Sequence, residues 1–202
     1  MDPVVVGISG ASGSILAQRA IEALLERDIP VIATCSSAAR MVWQEEMEDP
    51  FGLALARWQE SSHFTYCPID DLRAPIASGT TPTAGMMVIP CSTGTLAAIA
   101  HGLSSNLLQR AADVCLKEMR RLVLVPRETP LSPIHLGNML ALVRLGVVVL
   151  PPEPAFYLHP TSVEDIVEYI VAKALSALGL PDFMDGRLRY QRRSPSQEGR
   201  SE

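Results

Sequence analysis

"VVVGISGASGS", residues 4–14, runs three valines into a cluster of glycines and serines and then into an apolar pattern at helical spacing. Glycine and serine fill neither a strand nor a helix well, so residues 7–14 read as a loop between a buried strand and a helix. Four further short apolar runs carry the same signature: "VIATC" at 31–35, "MMVIP" at 86–90, "LVLVP" at 122–126 and "VVVLP" at 147–151. None alternates apolar with polar, which is how strands look when helices cover both faces of a parallel sheet.

The intervening segments read as helices at 14–27, 37–47, 93–101, 104–119, 133–144 and 162–178. The last sets Val163, Ile166, Val167, Ile170, Val171, Ala174, Leu175 and Leu178 on one stripe, with Thr161 and Glu164 as its expected capping box and Gly179 then Pro181 as its stop. Alternation in this order predicts an α/β fold: a single-domain, flavodoxin-like (Rossmann-like) parallel sheet of about five or six strands with helices on both faces. Residues 48–72 show no sustained period and are expected to form an extended lobe or an oligomer contact. The domain is expected to span 1–184, with 185–202, "DGRLRYQRRSPSQEGRSE", as a polar tail that is disordered or laid over the ligand site.

Composition narrows the function classes. The chain has 202 residues, 48% hydrophobic and 19% charged, with a net charge of -5. It has no overall basic field for nucleic acid or an anionic membrane, so any anion must be held by local groups. Cys35, Cys67, Cys91 and Cys115 make no CxxC pair and no zinc-ligand spacing, and they read as reduced thiols of a cytoplasmic protein. Neither a signal-peptide pattern nor an uncharged apolar run of roughly 18 residues is visible. The histidines form no metal cluster; His135 is expected to cap or pack at a helix start and Cys91 to be a small buried thiol.

In an open parallel sheet, ligands bind beyond the carboxyl ends of the strands. The segments leaving those ends are "SGASGS", "SSAAR", "CSTGT", "PRETPLS" and "PPEPAFYLHP". Three are small and rich in hydroxyls, which suits close backbone approach and anion binding at helix starts. "SGASG" is neither GxGxxG nor a P-loop, and tight turns alone would explain it; together with "CSTGT" and "SSAAR" it points to a composite site for a phosphate or the edge of a flat cofactor. Arg127 and Glu128, just past Pro126, are suited to bind a phosphate and exchange a proton with it. Arg110, Asp113 and Lys117 share one helix face, where a solvated Asp113 to Lys117 pair is the plainer reading.

"GASG", "CSTGTLAAIAHGLSSNLLQRAADVCLKE", "RLVLVPRETPLSPIHLGNML" and "SVEDIVEYIVAKALSALG" resemble the UbiX-like flavin prenyltransferases along nearly the whole chain. The resemblance implies a homododecamer built from trimers, with active sites shared between subunits. It implies transfer of a dimethylallyl group from dimethylallyl monophosphate to N5 and C6 of reduced FMN, without metal, to give prenylated FMN for UbiD-like decarboxylases. It also assigns residues: Gly10, Ala11 and Ser12 beside the flavin ring, with Ser36, Ser92, Thr93, Thr95 and Arg110 as further FMN contacts. Ser12, Glu46 and Glu128 would be catalytic, and Ser78, Gly79, Lys117, Arg127, Glu128, Tyr157 and Lys173 would surround the prenyl phosphate. Lys117 closes a helix leading away from the expected site, so a neighbouring subunit would have to use it.

Three positions depart from the family's usual pattern: Leu72 and Leu188 stand where tryptophan is common, and Lys173 where arginine is. Leucine offers no cation–π stabilisation to an allylic cation, and lysine keeps the charge without the bidentate fork. Two other readings stay open at this level. One is a flavin-dependent cysteine decarboxylase of the same fold, whose "PxMNxxMW"-like segment is replaced here by "PIHLGNML"; the other is a non-catalytic FMN-binding accessory subunit of a decarboxylase system.

Overall fold

The computed structural model describes residues 1–190. Five valine-, leucine- and methionine-rich runs form strands: β1 (Val4–Ile8), β2 (Val31–Cys35), β4 (Gly85–Cys91), β5 (Leu122–Pro126) and the short β6 (Val148–Val149). A further three-residue strand, β3 (Phe64–Tyr66), lies on the edge beside β2. All pairs are parallel, in the order β3-β2-β1-β4-β5-β6. The order reverses between β1 and β4, and that switch point opens a crevice at the carboxyl edge.

Seven helices cover the sheet: α1 (Ser14–Leu25), α2 (Ser37–Glu46), α3 (Phe51–Gln59), α4 (Thr93–Ala100), α5 (Leu107–Lys117), α6 (Pro133–Arg144) and α7 (Val163–Leu178). Strand alternation divides the core cleanly. Val4, Val6, Ile8, Met87, Ile89, Val123 and Val125 face α1, α2, α3 and α7, whereas Val5, Met86, Val88, Leu122 and Leu124 face α4, α5 and α6. Successive strand side chains point to opposite faces, so each apolar run supplies both cores.

Residues 48–72 are not an extended lobe: α3 and the edge strand β3 pack on the core, and 67–72 run on as loop and turn. Phe51, Trp58 and Phe64 are buried with Trp43, and their rings meet largely edge to face at centroid separations of 5.3–6.1 Å. The segment hid because α3 buries only Phe51, Ala54 and Trp58, too few positions for a sustained period. At the far edge the expected strand 147–151 shrinks to two residues, since Pro151 and Pro152 follow and proline cannot donate to the ladder.

The start of α7 differs by one residue from the expectation. Ser162, not Thr161, is the N-cap, accepting from the Asp165 amide at 3.2 Å, and Asp165, not Glu164, returns the bond. Gly179 ends that helix in the left-handed conformation, as expected. His135 completes a capping box with Ser132 at the start of α6. Residues 185–190 continue the described chain as a short 3-10 turn and an extended end; the tail expectation for 191–202 lies outside the described residues.

Candidate active site

A cleft of about 370 Å³ lies at the switch point, where the loops after β1 and β4 face each other. Gly10, Ala11 and Ser12 form one wall and Ser92 and Thr93 another. Arg127 and Glu128 enter from the end of β5, and Val42, Glu45 and Glu46 from α2. Sequence reasoning missed Val42 and Glu45. Their only signal is a shared face with Glu46, legible once α2 is known to cross the carboxyl edge of the sheet.

Each wall has a local cause. Gly10 packs so tightly on α2 that an added Cβ would stand 2.5 Å from the Ala38 side chain, which keeps the cleft floor flat. Gly13 has φ 114°, the left-handed turn that swings the chain from strand into α1. Glu46 reaches back over this turn, and its carboxylate accepts from the amides of Gly13 at 2.9 Å and Ser14 at 2.8 Å. Burial works against its charge, but hydrogen bonds from Ser12, Ser14 and Gly13 outweigh it and hold the carboxyl below its ordinary value. The N-terminus of α1 is therefore already filled by an anion of the protein itself.

At α4 the arrangement is the opposite. Ser92 caps the helix by accepting from the Thr95 amide at 3.2 Å and donates to the Thr95 hydroxyl at 3.0 Å. Among the described residues, no acceptor meets the first-turn amides of Thr93 and Gly94, and nothing stands within 4 Å of a Cβ built on Gly94. This helix start is open to an anion, with the Arg127 cation lining the same cleft. Ser36 caps α2 beside the end of β1, its amide bonded to the Ile8 carbonyl at 3.0 Å. Glu128 accepts from the Thr129 amide at 3.0 Å.

The other predicted residues sit elsewhere on the chain. Arg110 donates to the Ala77 carbonyl at 3.1 Å and pairs with Asp113 at 2.8 Å. Lys117 pairs with Glu118, so the expected Asp113 to Lys117 bridge is replaced by two others. Gly79 lies against that pair: a Cβ there would fall 2.6 Å from the Lys117 Nζ. Ser78, Gly79, Arg110 and Lys117 thus gather along α5 and the 3-10 turn Pro75–Ala77, outside the cleft lining. Tyr157 meets Tyr190 edge to face at 6.0 Å, and Lys173 is exposed on α7.

A larger cavity of about 470 Å³ separates α1, α7 and residues 183–188. Its arginines are engaged: Arg19 with Glu26 and Glu168, Arg27 over the Phe183 ring at 3.9 Å, Arg187 with Asp185 at 3.2 Å. The four cysteines are free and buried, and burial pushes the Cys91 thiol up to about 12, so it is no nucleophile at neutral pH. Among the described residues no group of three or more His, Cys, Asp or Glu is arranged to hold a metal, and no helix is long and apolar enough to cross a membrane.

A doubly wound parallel sheet with a glycine- and hydroxyl-lined cleft at its switch point is a nucleotide-type binding fold, and residues 1–175 match the family model described as Flavoprotein. The chain belongs to that family, and within it to the UbiX-like flavin prenyltransferases. It is 43% identical over 180 residues to the flavin prenyltransferase UbiX of Halalkalibacterium halodurans, covering 87% of each chain. It is 47% identical over 178 residues to a probable UbiX-like flavin prenyltransferase of Streptomyces sp. strain D7, covering 88% of this chain and 87% of that one. Among solved structures, AnUbiX in complex with FMN and dimethylallyl pyrophosphate superposes with a TM-score of 0.87 at 37% identity, over 96% of this chain and 99% of that one. A dodecameric FMN-dependent UbiX-like decarboxylase from Escherichia coli O157:H7 gives 0.83 at 44% identity, over 88% and 94%. An FMN-dependent cysteine decarboxylase from thioviridamide biosynthesis and the cypemycin decarboxylase, at 15% and 18% identity, share the fold alone.

Proposed function

We propose that this protein transfers a dimethylallyl group from dimethylallyl monophosphate to N5 and C6 of reduced FMN, closing a fourth ring on the flavin. The allylic C–O bond breaks and phosphate leaves as N5 bonds to the allylic carbon and gives up its proton; the alkene then takes a proton, and the carbon–carbon bond to C6 forms as C6 loses its own proton to the phosphate. The observation that carries the reading is the cleft itself: an open α4 start and Arg127 for a phosphate, a flat Gly10–Ser12 wall for a ring, and Glu128 beside both. FMN supplies the nucleophilic atoms; the protein supplies orientation and charge.

In this reading Ser92, Thr93 and Thr95 hold the polar end of FMN, with Ser36 and Arg110 as further contacts. Gly10, Ala11 and Ser12 border the ring, and Ser12 is oriented by its hydrogen bond to Glu46. Cleavage of the allylic phosphate leaves negative charge on the leaving group, which preorganised cations stabilise. Arg127, Lys117 and Lys173 supply that charge, with Ser78, Gly79 and Tyr157 about the phosphate and Glu128 exchanging protons with it. Lys117 does not line the cleft of its own chain, and in this reading a neighbouring subunit brings it. Self-assembly is supported by the apolar outer face of α6, where Leu136, Leu140 and Val143 are 51–52% exposed. The product would serve UbiD-like decarboxylases in the cytoplasm, and no metal takes part.

Anaerobic incubation of the purified protein with reduced FMN and dimethylallyl monophosphate, followed by mass analysis of the extracted flavin, tests the proposal. A flavin heavier by one C5 unit is expected. FMN recovered unmodified overturns dimethylallyl transfer and leaves the carrier reading.

A further inference from the structure

We propose that Ser9 is a positioning residue for the flavin site, holding the start of α4 in place by bolting the end of β1 to the end of β4 where the sheet order reverses. The proposal rests on the flavin reading above.

Regular pairing between β1 and β4 stops at Gly7 and Val88. Two residues further on, a side chain takes over from the backbone ladder. The Ser9 hydroxyl donates to the Pro90 carbonyl at 3.1 Å and accepts from the Ser92 amide at 2.7 Å, and the Ser9 amide reaches the same Pro90 carbonyl at 3.3 Å. Ser9 is 1% exposed and does not line the cleft. Both capacities of its hydroxyl are used, across 81 and 83 residues of chain.

Ser92 is the residue this arrangement controls. Its amide is turned inward to Ser9 and its hydroxyl caps the Thr95 amide, which leaves the Thr93 and Gly94 amides to face outward. Removing the Ser9 hydroxyl leaves the half-buried Ser92 amide without its acceptor, and the peptide turns to find another. The first turn of α4 then moves, and with it the Cys91 carbonyl of the same peptide, which accepts from the Arg127 amide at 3.2 Å at the start of the loop that carries Glu128. Glu46 on α2 hangs from an element that the Ser9 side chain does not touch. The loss therefore falls first on flavin affinity and reaches the prenyl-transfer step only through the single Arg127 amide bond.

The experiment titrates FMN into the intact protein by flavin fluorescence and measures prenylation at saturating FMN. Ser9→Ala is expected to raise both the Kd and the KM for FMN about tenfold, the scale of one lost hydrogen bond at the start of α4, with a smaller fall in kcat. Ser9→Thr, which keeps the hydroxyl, should return the Kd to within about threefold of the parent. If Ser9→Ala does not fold, Ser9→Cys, similar in size but a far weaker hydrogen-bond partner, is read in the same titration. A variant with lowered Tm but unchanged FMN affinity, or with reduced kcat and unchanged affinity, overturns the proposal. Failure of the parent protein to bind FMN overturns instead the flavin reading beneath it.

Discussion

Glu46 sets its carboxylate 2.8 Å from the amide nitrogen of Ser14, closing the N-terminus of α1 with a side chain 32 residues away. A carboxylate in that position completes a helix start electrically and by hydrogen bonding, and the electrical part is present only while it is ionised. Its folded-state value is depressed, so the stabilisation is present above the ordinary value of 4.5 and is lost as pH falls through the lower folded value. Glu46→Gln should lower stability by about 0.5–1 kcal/mol at pH 7, a modest figure because solvent screens the group. The gap between parent and variant in denaturant melts should close as pH drops below 4.5. A gap that persists at pH 3 would show that the charge is not what matters.

Thr34 carries a hydroxyl that is buried on β2 and has no hydrogen-bond partner among the described residues. Valine has the same branched shape without the unpaired oxygen. Thr34→Val should stabilise the protein by about 1 kcal/mol, raising Tm by roughly 2–4 °C. A lower Tm in calorimetry would mean that an ordered water satisfies the hydroxyl.

Glu128 lines the cleft beside Arg127, carried on the loop that leaves β5. Glu128→Gln keeps the shape and removes the proton exchange. Prenyl transfer should slow by about 10²-fold or more, in the range of a lost general acid–base, while FMN affinity stays within about threefold. Equal loss of turnover and FMN binding, measured side by side, would count against the role.

Lys117 and Glu128 stand at different places on one chain, the first beside Gly79 and the second in the cleft. If one subunit's Lys117 completes another's cleft, Lys117→Ala and Glu128→Gln should each be nearly inactive alone. Mixing them through unfolding and joint reassembly should regain a fraction of parental activity, because some clefts then contain both native residues. Mixed oligomers no more active than the separate variants would refute shared sites.

Much of the site was readable because its parts are loops with a forced location. A glycine- and serine-rich run after a valine strand must leave the carboxyl end of that strand, and a parallel sheet puts all such ends on one edge. Gly10, Ala11, Ser12, Ser92, Thr93, Arg127 and Glu128 could be grouped on that ground, and the cleft contains all seven. Ser9 escaped notice, since a buried serine whose partners lie 81 and 83 residues away has no local signature. The strand β3 escaped because three residues are too few for a period to register.

The sequence by itself determined the α/β class, the five main strands and the edge where chemistry sits, because hydrophobic periodicity and turn residues are properties of neighbours along the chain. Tertiary structure alone decided which helix start remains open. Glu46 fills the first turn of α1, whereas that of α4 is left free. Both outcomes depend on distances between residues tens of positions apart. Chain direction and the packing of helices across the sheet set those distances, and no local pattern encodes them.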